Sequence, residues 1–269
     1  MASAATLRRA KRLIAATRTF RVKVEKAQAP SFAADLGPFF TGQASRLALP
    51  GAKGWKAQPK KLDPLTLLDW AAEDAALLTI VESHFTDVAQ LVTPFVGSQL
   101  GVTVAFDLAN PYLARVLDGV GLLVKGLNED SRAMLTTAIE SGLAAGDGTA
   151  DIATALTDLV AGWSGARAET IARTETAHAY NWAAVAGYRD TGIVGSCICL
   201  DSPDCGWDGH DDSEPADGTV RSFDEAESYP TSHPNCVRAF SPNVDDGSSS
   251  DQVPADSPEA EAQAVDEEA

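Results

Sequence analysis

Four side chains in this sequence have the types and spacing to hold a metal ion: Cys205, His210, His233 and Cys236. Four residues separate Cys205 from His210, and two separate His233 from Cys236. Two short pairs joined by a longer loop is the layout of a structural zinc site. Each pair can form on a tight turn, and the ion then stabilises closure of the loop between them. The insert of 22 residues exceeds ordinary finger spacing, and Cys199 competes with His210 as a ligand. The alternative needs no metal: Cys205 and Cys236 are buried small hydrophobes, and the histidines are hydrogen-bonded turn residues. All four cysteines fall between Cys197 and Cys236, a clustering unlike that of a secreted disulfide scaffold. Cys197 and Cys199 share one strand face, where packing is the expected role of Cys197.

A second set lies on the segment from Ile171 to Asn181. On a helix, Ile171, Glu175, His178, Trp182 and Val185 fall on one stripe. Arg173 is rotated about 200° from Glu175 and cannot pair with it, whereas Glu169 can. Glu175 projects along an apolar stripe, where an unpaired carboxylate is costly; His178 or a backbone amide would satisfy it. Glu175 and His178 then read either as an acid/base pair or as polar pins fastening the helix to the unit that follows. Pinning is the expected role.

Other chemistries are excluded by pattern. An EF-hand counted from Asp204 places Gly209 correctly, but puts Gly206 at position three and Pro215 at position twelve. The acids from Asp201 to Asp212 therefore read as a solvated loop. Phosphate-cradling glycine loops, a nucleophile elbow and the zinc-deaminase signature are missing. His233 and Cys236 are too close on one turn to act as nucleophile and base.

The elements that must position these residues predict an α+β fold, mainly α. The expected organisation is a basic N-terminal helix and arm over 1–61, a helical body over 62–191, a small β-rich Cys/His unit over 192–242, and an acidic tail over 243–269. Leu7, Ala10, Ile14 and Thr17 give residues 2–28 one apolar helical face, and the Gly/Pro/Lys-rich run 30–61 reads as a linker. Asp63-Pro64 predicts a helix start running to Val92, with Leu68, Ala71, Ala75, Leu78 and Phe85 inward. A further helix over 98–118 is expected to break at Asn110-Pro111. Asn128 and Thr149 are expected caps, with Ile152, Leu156, Leu159 and Trp163 inward, and Ser164 opens a helix to Asp190. Strands are expected over 194–199 and 237–240, with a helical turn opened by Ser222 and Glu225 between them.

No apolar run is long enough to span a membrane, and the short apolar patch near Ile14 does not make a signal peptide. The net charge of −17 conceals a division. Residues 1–61 carry thirteen Lys and Arg against two acids, whereas the remainder carries eight against thirty-six. Such asymmetry marks two surfaces with different partners, unless the basic arm rests on the chain's own acidic half. Arg8, Arg9, Lys11, Arg12, Arg18, Arg21 and Lys23 are the residues expected to meet DNA or an acidic protein surface.

Ile171-Ala-Arg-Thr-Glu175 with Asn181, followed by Cys205-Gly-Trp, His210-Asp-Asp and His233-Pro-Asn-Cys236-Val-Arg, resembles the Mu F-like family of phage minor capsid, or head-morphogenesis, proteins over residues 63–242. The resemblance implies a structural protein inside the head of a tailed bacteriophage, near the portal, after assembly in the host cytoplasm. Expected partners are the portal protein, major capsid or scaffold proteins, and packaged double-stranded DNA. It carries Arg173, Glu175 and Asn181 over as the helix motif, and Cys205, His233 and Cys236 as the Cys/His end. The chain departs from versions with a Cys-x-x-Cys pair, and Cys236-Val-Arg stands where others have Cys-Arg-Cys. A four-cysteine zinc site is therefore not expected. A zinc-dependent enzyme using Glu175 or His178, and a stand-alone DNA-binding protein, are the competing readings.

Overall fold

A computed structural model describes residues 3–47, 67–107, 111–209 and 212–244. The fold is α+β and mainly helical, with one small antiparallel sheet, as the sequence predicts. Its helices are α1 (Ala4–Arg46), α2 (Trp70–Leu100), α3 (Pro111–Ala145), α4 (Thr149–Gly162), α5 (Ala168–Thr191) and α6 (Phe223–Ser228). The strands are β1 (Cys197–Leu200), β2 (Val220–Arg221) and β3 (Ala239–Pro242), in the order β2-β1-β3. Cys197 pairs with Arg221 on one side and Pro242 on the other, and Cys199 pairs with Phe240.

The chain forms two compact units that are discontinuous in sequence. One comprises 1–25, 87–114 and 177–269; the other comprises 26–86 and 115–176. Of the expected acidic tail over 243–269, Asn243 and Val244 are buried and the rest, like the Asp63-Pro64 helix start, lies outside the described residues.

The expected linker after Gln28 is instead helix as far as Arg46, with Pro30 and Pro38 inside it. A proline in a helix interior costs about 3 kcal/mol. Phe32, Leu36, Phe39 and Phe40 are buried between and beyond the two prolines, and each large apolar side chain buried contributes about 1.5–3 kcal/mol. Burial outweighs the two breaks, and both proline rings face solvent. Helix α2 starts at Trp70, where the Asp69 carboxylate accepts from Ala72 N at 3.2 Å, and continues past Val92 through Pro94. Its buried stripe is Leu77, Val81, Phe85, Val88, Val92 and Val96, so Ala71 and Ala75 face solvent instead. Pro111 opens α3 rather than interrupting a helix. Asn128 lies inside α3, not at its start, and donates from its buried side chain to Asp74 Oδ1 at 2.7 Å. Helix α4 carries the expected inward residues Ile152 and Leu156, with Trp163 buried just beyond its end, but its cap is Gly148 rather than Thr149. A π-helical turn over Trp163–Arg167 joins it to α5.

Within the unit that holds the sheet, a polar chain links three helices. Tyr188 donates to Gln99 Oε1 at 2.6 Å, and Gln99 Nε2 donates to Thr17 Oγ1 at 2.7 Å. Phe20 and Phe95 stack with ring centroids 3.9 Å apart. Gly187 permits this packing, because a Cβ there would sit 3.0 Å from a Val96 methyl.

Candidate functional site

The Cys/His segment folds around an arginine. Arg238 is fully buried, and its Nε donates to Asp201 Oδ2 at 2.8 Å with both side chains at 0% exposure. Its remaining N–H groups reach the carbonyls of Trp207 (3.1 Å), Tyr229 (3.0 Å) and Gly206 (3.0 Å). One guanidinium thereby closes the loop 201–207 onto the loop after α6. Trp207 is flanked by two cations, Arg238 at 4.7 Å and Arg221 at 4.0 Å from its ring centre. Buried charge is stable only when paired and hydrogen-bonded, and Arg238 meets both conditions.

The loop geometry follows from local chemistry. Gly206 is required for close approach, since a Cβ would lie 2.4 Å from the carbonyls of Asp212 and Gly209. The Trp207 amide donates to Glu214 O at 2.8 Å, and Gly206 bridges Pro215. The Asp212 carboxylate accepts from the amides of Asp208 and Glu214, at 3.0 Å each. Those bonds hold its pKa below the ordinary carboxylate value. Ser222 and Glu225 form the expected capping box on α6. Asp201 departs from the expected solvated loop: it is buried as the counter-ion of Arg238.

Cys205 and His233, widely separated in sequence, come together with Sγ and Nε2 3.2 Å apart. His233 Nδ1 donates to the Pro234 carbonyl at 2.8 Å, because a carbonyl can only accept. In the neutral ring Nε2 therefore carries the lone pair and accepts from the Cys205 thiol. A nucleophile, a base and an orienting group are thus aligned, but the charge state opposes nucleophilic chemistry. Burial first, then Asp201 and Cys236, push the Cys205 thiol up to about 11, and the reactive species is the thiolate. Burial likewise raises Cys199 to about 12 and Cys197 further. Both are buried residues of β1, as expected for Cys197.

Of the expected zinc ligands, Cys205 and His233 are the two seen in contact. Cys236 Sγ lies 3.5 Å from Ser232 Oγ and 3.7 Å from Asp201 Oδ1, and His210 lies outside the described residues. Among the described residues no group of three or more His, Cys, Asp or Glu side chains is set to hold an ion. Cys205, His233, Ser232 and Cys236 are hydrogen-bonded beside the Arg238–Asp201 ion pair.

Helix α5 fastens to this segment through the second predicted set. Asn181 is buried, and its Nδ2 donates to Pro230 O at 2.6 Å and Arg238 O at 3.0 Å. His178 Nε2 is hydrogen-bonded to Thr231 Oγ1, and the ring stacks on Trp182, whose Nε1 donates to Glu227 O at 3.0 Å. His178 and Asn181 are thus pins. Glu175 is buried, and Arg173 faces solvent.

The basic residues divide. Arg21 is turned inward at 3% exposure, pairs with Glu25 at 2.8 Å and reaches Cys236 O at 3.4 Å, so it is a structural residue and not a contact for DNA. Arg18 pairs with Asp217 at 3.0 Å. Arg9 is half-buried, whereas Arg8, Lys11, Arg12 and Lys23 are exposed.

Sequence reasoning missed Arg238, Asp201 and Arg221 as the centre of the segment. The available signal was spacing: Arg238 follows Cys236 by two residues, and Asp201 directly follows β1. Comparison with protein-family models, with curated proteins and with solved structures gives no match for this chain.

Proposed function

We propose that this chain is a minor head protein of a tailed bacteriophage, of the Mu F-like kind, with a structural role near the portal in head assembly and in DNA packaging or delivery. The observation that carries this reading is the coupling of its two diagnostic segments. Asn181 of the α5 motif donates to the carbonyl of Arg238 at the end of the His233-Pro-Asn-Cys236-Val-Arg motif, and to Pro230 just before it. Residues far apart in sequence that define the resemblance thus form one clasp. A protonated, buried Cys205 beside His233 supports a structural rather than a catalytic use of that clasp.

The exposed cations of α1 give the second element of the proposal, a surface for packaged DNA or an acidic portal face. Phosphate contacts release counterions, so such binding weakens steeply with salt. The test is co-expression with the phage's portal protein. Co-purification with the portal oligomer, lost when Asn181 is replaced by Asp but not in a surface control, is the expected result. Absence of the chain from purified heads would overturn the assignment.

A further inference from the structure

We infer that the cavity beside the π-helical turn Trp163–Arg167 is a binding site for a small carboxylic acid carried on an apolar stem. Two side chains of that turn carry N–H groups left unsatisfied among the described residues. Trp163 is 3% exposed, and its indole Nε1 is buried with no hydrogen-bond partner. Arg167 Nη1 is likewise buried and unpartnered. The other end of the same guanidinium is held in place, since Nη2 donates to Leu127 O at 3.2 Å and to Ser131 Oγ at 3.0 Å. Its Cζ lies 4.6 Å from the centre of the Trp163 ring and 5.0 Å from that of Phe40. Buried donors are normally satisfied, so two orphans on one turn call for an explanation. Turns of the π-helical kind recur at functional sites.

Trp163 and Arg167 line a cavity of about 790 Å³, whose other walls include Met134 of α3 and Leu159 of α4. That volume suits a small molecule. The chemistry of the occupant follows from the donors. An indole N–H and a guanidinium donate and never accept, so the matching group is an acceptor. Arg167 makes that acceptor an anion, because among the described residues it forms no ion pair and its two hydrogen bonds go to neutral oxygens. Burial lowers its pKa to about 10, partly offset by Asp130, and it stays charged at neutral pH. The rim selects the kind of anion. Asp130 and Asp158 there are exposed carboxylates, and a phosphate dianion is repelled by them about twice as strongly as a monoanion. Met134 and Leu159 supply the apolar wall for the stem. Met134 is unbranched and flexible, so it yields as the acid seats against the shielded N–H groups. The inference goes beyond the head-protein reading and does not rest on it.

Octanoate is the probe, titrated into the full chain by calorimetry and by NMR of the indole N–H groups. The expected Kd is about 1 mM or below. The indole resonance that disappears in Trp163→Phe should move as octanoate is added to the native chain. Trp163→Phe keeps the ring that Arg167 stacks on and removes only the N–H, so the fold is retained. Octanoate affinity in that variant should fall about fivefold to tenfold. Asp130→Asn removes a rim charge from an exposed side chain and should tighten octanoate about twofold. A merely disturbed fold would not produce that gain. Octanamide, with the same stem and no charge, should bind at least about tenfold more weakly than octanoate. Equal binding of octanamide would reduce the site to an apolar surface and sink the inference. Octyl phosphate binding as tightly as octanoate would overturn the choice of a carboxylate. No movement of the Trp163 resonance up to about 10 mM octanoate, or unchanged affinity in Trp163→Phe, would overturn the site itself.

Discussion

Arg238 and Asp201 form an ion pair 2.8 Å long with no exposed side-chain surface on either partner. Such a pair is weak evidence of net stabilisation, but breaking one half leaves a buried charge uncompensated. Arg238→Ala and Asp201→Asn should each destabilise the fold by about 3–5 kcal/mol. Arg238→Lys should recover little of this, because an ammonium cannot reproduce the fork that serves Asp201 and three carbonyls. Urea unfolding of the singles and the double is the check. Additive losses would show that the two residues are not coupled.

Asn181 gives a sharper test of the clasp. Its amide donates to two carbonyls, so Asn181→Asp replaces two donors with a carboxylate facing oxygen atoms. The expected loss is about 2–4 kcal/mol, larger than for Asn181→Ala, which leaves the acceptors unsatisfied without adding repulsion. Equal losses in the two variants would contradict the assigned geometry.

His84 makes the other unit sensitive to acid. It stacks on Phe32 with ring centroids 3.9 Å apart and is hydrogen-bonded to Thr176 Oγ1 at 2.9 Å. Thr176 donates its own proton to Ala172 O, so His84 Nε2 is the donor. Burial lowers the His84 pKa from 6.5 to about 4. The unfolded chain then binds the extra proton, and stability falls with falling pH. The contribution is complete above pH 6.5 and is lost as pH drops toward 4, on the order of 2–3 kcal/mol in total. His84→Gln, which does not titrate, should flatten the unfolding midpoint between pH 7 and 5 relative to the native chain.

Cys205 should behave as a thiol at neutral pH. Alkylation by iodoacetamide, followed peptide by peptide, should be slow at pH 8 and still rising at pH 10, in line with a pKa near 11. A rate that plateaus near neutrality would instead indicate a thiolate stabilised by His233, and would reopen a nucleophilic role.

Gly206→Ala tests the loop itself. A methyl group 2.4 Å from two carbonyls forces the backbone apart, and overpacking of this kind costs about 1–3 kcal/mol. Loss of the Trp207 fluorescence signature in the folded state should accompany it.

Local and periodic features were legible in the sequence. The mainly helical class, the inward stripe of α4, the capping box at Ser222 and Glu225, and the packing of Cys197 all follow from spacing, because each depends on neighbours within a turn or a strand. His178 was legible as a pin for the same reason, since it lies on the predicted helix stripe, whereas Asn181 lies off that stripe and was marked only by the resemblance. What only the tertiary structure decided rests on distant partners. Residues 30–46 are helical because buried phenylalanines outweigh two prolines, a balance invisible without the surface they pack on. Arg21 turned inward because Glu25 and the Cys236 carbonyl satisfy it. The role of Arg238 at the centre of the Cys/His segment was not legible, because an arginine gives no periodic signal of burial. Its desolvation is tolerable only where a carboxylate and three carbonyls converge, and that convergence is made by the fold.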